Sequence, residues 1–130
     1  GAIHALHIWP WLRFITGLGT VPHQATVVSA QLAKEVGGFR EDVGPSADQE
    51  WILRLWAKSS PSRISDVIAI CDDSGISSRQ APGTWAKAMS NYRADHGMQF
   101  KPRPVDVVVT WLAVGFDLAK QAVTRLTSRQ

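Results

Sequence analysis

A single cysteine, Cys71, leaves the chain without an internal disulfide and without a cysteine-based zinc site. No stretch reaches the roughly 20 uninterrupted apolar residues that a bilayer span takes. The longest candidate, Val107 to Phe116, is flanked by Asp106 and Asp117. The apolar N-terminus lacks the basic start and small-residue cleavage site of a secretory signal. Charge of one sign is also scarce, because residues 1–100 carry as many acidic as basic side chains. The whole formal surplus of +3 lies in residues 101–130, where Lys101, Arg103, Lys120, Arg125 and Arg129 face only Asp106 and Asp117. A near-neutral body with a few tail cations is a poor match to the footprint of a nucleic-acid-binding domain, so no nucleic-acid partner is expected. Internal repeats and low-complexity segments are absent. What remains is 130 residues, 45% hydrophobic, with six tryptophans. That suits one domain with a sizeable core and excludes a disordered tail. Gly1 in place of Met fits a processed product or a piece of a longer reading frame.

Turn and cap signals divide the chain. Pro10 starts a short helix that the Gly17 and Gly19 pair ends. His4 and His7 sit at helical spacing, but no Asp, Glu or Cys accompanies them locally, so no metal site is expected there. After Pro22, His23 to Ser29 reads as a short strand. Ser29 caps a helix over Ala30 to Val36, closed by Gly37-Gly38, and Phe39 returns the chain to the core. Residues 40–45 read as a polar loop. Ser46 and Gln49 then form a capping box for a helix with Trp51, Ile52, Leu55 and Trp56 on its apolar face, ending near Ser59-Ser60-Pro61. Arg63 to Cys71, rich in β-branched residues, reads as a strand, and Asp72-Asp73-Ser74-Gly75 as a turn. An amphipathic helix covers about Thr84 to His96, with Trp85, Ala88, Met89 and Tyr92 on one side. The last helix, 104–126, carries a seam of Val105, Val109, Leu112, Phe116, Ala119, Val123 and Leu126. That seam packs on the domain, on a partner helix or on a bilayer surface, and packing on the domain is the favoured reading.

Five short pieces occur in a telling order. They are His23-Gln24-Ala25-Thr26, Val36-Gly37-Gly38-Phe39-Arg40-Glu41, Ala47 to Leu55 (ADQEWILRL), Asp66-Val67-Ile68-Ala69-Ile70, and Gly75-Ile76-Ser77-Ser78. Over about residues 20–80 this order resembles the C-terminal half of family 2 glycosyltransferases. The resemblance implies an α/β fold, the C-terminal half of a GT-A nucleotide-diphospho-sugar transferase, with short strands, packed helices and a long C-terminal amphipathic helix. Residues 1–100 would be the acceptor-side part and 101–130 the basic amphipathic helix.

The resemblance assigns Asp48, which opens the helix, the role of catalytic base. An inverting transfer needs a carboxylate to take the proton of the acceptor hydroxyl as that oxygen attacks the anomeric carbon. The positive end of the helix dipole favours a carboxylate in the first turn. His23 and Gln24 read either as contacts to the acceptor or diphosphate or as a hydrogen-bonding pair at a strand end. Glu50 is a second acid beside the base or a solvent-facing carboxylate. Arg54 meets an acceptor phosphate or pairs with Glu50 one helical turn away. Trp51 and Trp56 belong to the core or stack on a sugar ring. Gly75 and Ser77 lie, by resemblance, on the rim of the active site.

Two departures from the family pattern bound the reading. The Asp-x-Asp that holds a divalent metal on the nucleotide diphosphate belongs to the nucleotide-binding half, which is missing here. Asp72-Asp73 does not replace it, and there is no glycine-rich phosphate loop. The Gln-x-x-Arg-Trp of processive members is absent too. The expected partners are a glycan or lipid-linked acceptor, the missing nucleotide-binding half, and a peripheral membrane contact. Mg or Mn is expected only in the complete enzyme, and none on this chain. The setting implied is cytoplasmic, at the inner face of the membrane, in cell-envelope or exopolysaccharide synthesis. The rival reading is a non-catalytic binding or membrane-association module that keeps the acceptor half without transfer.

Overall fold

The computed structural model describes residues 11–62, 64, 66, 69–70, 81 and 83–127. Helical turns at 11–16 are followed by α1 (Ala30–Val36), α2 (Ala47–Lys58), α3 (Thr84–Asp95) and α4 (Arg103–Thr127), with 3-10 turns at His23–Ala25 and Glu41–Ser46. No strand occurs among the described residues, which overturns the expected α/β half of a GT-A fold: the architecture is mostly helical. Local hydrogen bonds show why 23–29 is not a strand. Ala25 N–H and the Thr26 hydroxyl donate to Pro22 O, and Thr26 N–H donates to His23 O. These bonds close a turn, and no neighbouring strand to pair with β-branched Thr26-Val27-Val28 occurs among the described residues. Of 63–71, only Ile64, Asp66, Ala69 and Ile70 are described; none is in a strand, and Ile64 and Ile70 are exposed. His4, His7, Cys71, the Asp72–Gly75 turn and the Gly75–Ser78 motif lie outside the described residues.

The chain divides into two units, a central one (Val21–Arg79) and a terminal one (Gly1–Thr20 with Gln80–Gln130). In the central unit, α1 forms as its caps dictate: Ser29 Oγ accepts from Leu32 N–H, and Gly37, at φ 82, ends it. α2 buries Gln49, Glu50, Ile52, Leu53 and Leu55, so its inner face is part polar. The Ser46–Gln49 capping box does not form, because the Ser46 side chain makes no cap bond to the helix and Gln49 is engaged elsewhere. Phe39 is exposed instead of core, although its ring meets Trp51 edge-on at 5.2 Å.

The terminal unit packs residues 11–19, α3 and α4 around Phe14, Ile15, Ala86, Met89, Tyr92, Ala113 and Val114. Two glycines permit the close approach. Gly17, at φ 81, would set a Cβ 2.5 Å from Ala86 Cα, and Gly83, at φ 74, would set one 2.8 Å from Val114 Cγ1. Arg93 is fully buried on α3 and grips Asp106 of α4 through Nε (2.8 Å to Oδ1) and Nη2 (3.2 Å to Oδ2). Its remaining donors go to Ile15 O and Thr110 Oγ1. Phe100 N–H and the Ser90 hydroxyl complete the shell of Asp106, and the Phe100 ring lies 5.2 Å from the guanidinium. Burial pushes the Asp106 carboxyl up, but these donors outweigh it and hold the group below its ordinary 3.8.

α4 is one long helix, as its spacing predicts, but its orientation is not the favoured one. The face turned to α3 carries Asp106, Thr110, Ala113, Val114 and Asp117, the last accepting from Gly83 N–H at 2.8 Å. The apolar seam points outward instead, with Leu112 69% and Phe116 60% exposed. Packing of the seam on the domain is therefore corrected. The buried ion pair and the close Gly83–Val114 contact dictate the rotation of the helix more strongly than its hydrophobic period does.

Candidate active site

The candidate residues of the central unit gather at the start of α2. Asp48 lies in its first turn, and its carboxylate collects three donors. His23 Nδ1 donates to Oδ2 at 2.8 Å, Gln49 Nε2 donates to the same oxygen at 3.1 Å, and Gln49 N–H donates to Oδ1 at 2.8 Å. The side chains of His23 and Asp48 are 46% and 25% exposed, so an incoming hydroxyl has access to the pair. A carboxylate acceptor fixes the proton of His23 on Nδ1 and leaves Nε2 as the acceptor nitrogen of the neutral ring. Gln24 follows on the same turn and is exposed.

Gln49 is the clasp of this arrangement. Its Oε1 accepts from Val21 N–H at 3.0 Å and its Nε2 donates to Val21 O at 2.7 Å, which ties the 22–26 turn to α2 while also touching Asp48. Sequence reasoning gave Gln49 only a capping role. The signal for the clasp is a carboxamide one turn before Ile52 and Leu53 on the buried side of α2, where a polar group must find partners.

Glu50, Trp51 and Arg54 form a second cluster. Glu50 is fully buried, and Arg54 donates to it through Nε (2.9 Å to Oε1) and Nη2 (2.9 Å to Oε2). Arg40 Nη1 stands 3.8 Å from Glu50 Oε1, while Arg40 also holds Asp42 below its ordinary 3.8 by donating to its carboxylate. Arg54 Nη1 donates to Val36 O, Arg54 Nη2 to Gly38 O, and Trp51 Nε1 to Gly37 O, at 2.6, 2.7 and 2.7 Å. These three carbonyls end α1, and a helix C-terminus favours a cation there. The Gly-Gly-Phe motif and the Trp51–Arg54 stretch are thus two halves of one helix-to-helix clamp. Gly75 and Ser77, the expected rim residues, lie outside the described residues.

No group of three His, Cys, Asp or Glu side chains that could hold a metal ion occurs among the described residues.

A stretch of 70 residues, 54% of the chain, is 37% identical to an uncharacterized glycosyltransferase of Mycobacterium tuberculosis, of which it covers 27%; the figures are the same for strains CDC 1551 and H37Rv. The chain thus spans about a quarter of the length of the curated relatives it matches. No family model and no solved structure matches the chain.

Proposed function

We propose that this chain is the acceptor-side portion of an inverting glycosyltransferase of the family 2 type, with Asp48 as its catalytic base. The observation that carries the reading is the accessible Asp48 carboxylate, held in one orientation by His23 and Gln49 at the start of α2. A base must be fixed and reachable at once, and the other carboxylate of this helix, Glu50, is buried against Arg54. In the reaction the acceptor hydroxyl oxygen forms a bond to the anomeric carbon on the face opposite the leaving group. The carbon–oxygen bond to the diphosphate breaks, the nucleoside diphosphate departs with that electron pair, and the hydroxyl proton passes to Asp48. His23 orients the carboxylate. Glu50, Trp51 and Arg54 keep α1 against α2 and so preserve the position of the base. The acceptor is a glycan or a lipid-linked sugar. Nucleotide binding, and any divalent ion on the diphosphate, is assigned to a donor-side portion.

The test is Asp48→Asn in the complete enzyme. Loss of the base lowers the transfer rate by about 10²–10⁴-fold, while far-UV circular dichroism and the thermal midpoint stay unchanged. Near-normal turnover by that variant would sink the assignment and favour the non-catalytic binding module.

A further inference from the structure

We infer that the outward face of α4 docks on an anionic lipid bilayer, with the helix lying in the plane of the headgroups. The helix turns a mixed face, with Ala113 and Val114 beside its polar groups, to α3 and displays a broad apolar one. Asp106, Thr110 and Asp117 face α3, while Val107, Val108, Trp111, Leu112, Phe116 and Leu118 are all exposed. Further along, Val123 and Leu126 continue the display. At 3.6 residues per turn these positions cover about 180° of arc, far wider than the narrow stripe that a single partner helix fills. By length and composition α4 is apolar enough to cross a membrane, and only 11% of its most apolar stretch is buried.

Charge selects the occupant. Lys120 and Arg125 border the apolar arc along α4, and Lys87 of α3 lines a shallow groove with Asn91, Val107 and Trp111. Cations along the edges of a broad apolar face, with a tryptophan among them, are what an anionic headgroup layer over acyl chains complements. An orientation across the bilayer would strip Asp106 from Arg93 and Asp117 from Gly83 N–H, and it would carry both carboxylates into hydrocarbon. The in-plane orientation keeps both contacts. This inference does not depend on the sugar-transfer reading.

The experiment is co-sedimentation of the full chain with phosphatidylcholine vesicles and with vesicles of equal parts phosphatidylcholine and phosphatidylglycerol. The wild type is expected to pellet with the mixed vesicles at low salt and to stay in the supernatant with phosphatidylcholine alone. Leu112→Glu with Phe116→Glu, both on the exposed face, lowers partitioning at least about tenfold, and so does Lys87→Glu with Lys120→Glu. Circular dichroism checks that the variants keep their helices. Wild-type protein that remains in the supernatant with the mixed vesicles overturns the inference. A concentration-dependent dimer that the paired glutamates abolish, without vesicle binding, also overturns it and gives the face to a second copy.

Discussion

Each unit places an aspartate in the first turn of a helix, and the two meet opposite fates. Asp106 opens α4 of the terminal unit, is 2% exposed, and is enclosed by Arg93, Ser90 and Phe100 N–H. Asp48 opens α2 of the central unit and is met by an imidazole and a carboxamide, with solvent still at hand. The same local signal, an acid where helix N–H groups are unpaired, thus yields a structural anchor in one unit and an accessible group in the other. The partner decides. A guanidinium backed by Ser90 and Phe100 N–H in a buried site leaves Asp106 no chemistry, whereas an imidazole and Gln49 orient Asp48 and leave it open to solvent.

The largest effect expected from breaking this contrast is at Arg93. Arg93→Met leaves Asp106 buried without its counter-charge and costs about 3–5 kcal/mol, read as a drop in the urea midpoint of the full chain. Adding Asp106→Leu to that variant recovers part of the loss, because the orphaned charge is then gone. A single variant as stable as the wild type would show that the pair contributes nothing.

Acid provides a milder version of the same break. The folded Asp106 carboxyl titrates below its ordinary 3.8, so its contribution is fully present above that value and is lost as pH falls through the folded pKa. Denaturant midpoints taken from neutral pH to below roughly pH 4 are expected to fall at the acid end. In Arg93→Met, burial is opposed only by Phe100 N–H and the Ser90 hydroxyl, so the acid-end fall becomes shallower. An identical acid slope in both proteins would assign the effect to other carboxylates.

How much of this was legible in the sequence differs between the units. Ser29, Gly37 and Ser59 bound α1 and α2 as their chemistry dictates, because caps and breakers act within a few residues. The β-branched run after His23 misled, since strand propensity has force only where a neighbouring strand exists to pair with. The seam of α4 gave its helical period correctly and its facing incorrectly. Periodicity shows which residues share a face but not which face meets the core. The evidence against the seam was present at Arg93, a cation one residue after Tyr92 on the apolar side of α3, which needs a buried acid as partner. At the candidate site, His23 and Asp48 could be named singly from the family resemblance. Their pairing across 25 residues, and the Gln49 clasp across 28, are tertiary facts that no local pattern encodes.

The smallest stability effect is expected where the comparison is sharpest, at His23. The His23–Asp48 pair is partly exposed, and such pairs contribute about 0–1 kcal/mol after solvent screening. His23→Ala should therefore leave the urea midpoint of the full chain close to the wild type. The turn that carries His23 does not depend on its side chain, because Ala25 N–H, Thr26 N–H and the Thr26 hydroxyl close it, and Gln49 holds Val21 independently. Asp48 also keeps both bonds from Gln49, so its carboxylate stays near its place but gains freedom to rotate. In the complete enzyme that freedom is expected to lower kcat while leaving KM for the acceptor nearly unchanged, as befits a positioning residue. His23→Asn or His23→Gln, which can donate to Oδ2, should restore part of the rate. A His23→Ala protein destabilised as much as Arg93→Met would mean that the two aspartates are both anchors, and the distinction between the units would fail.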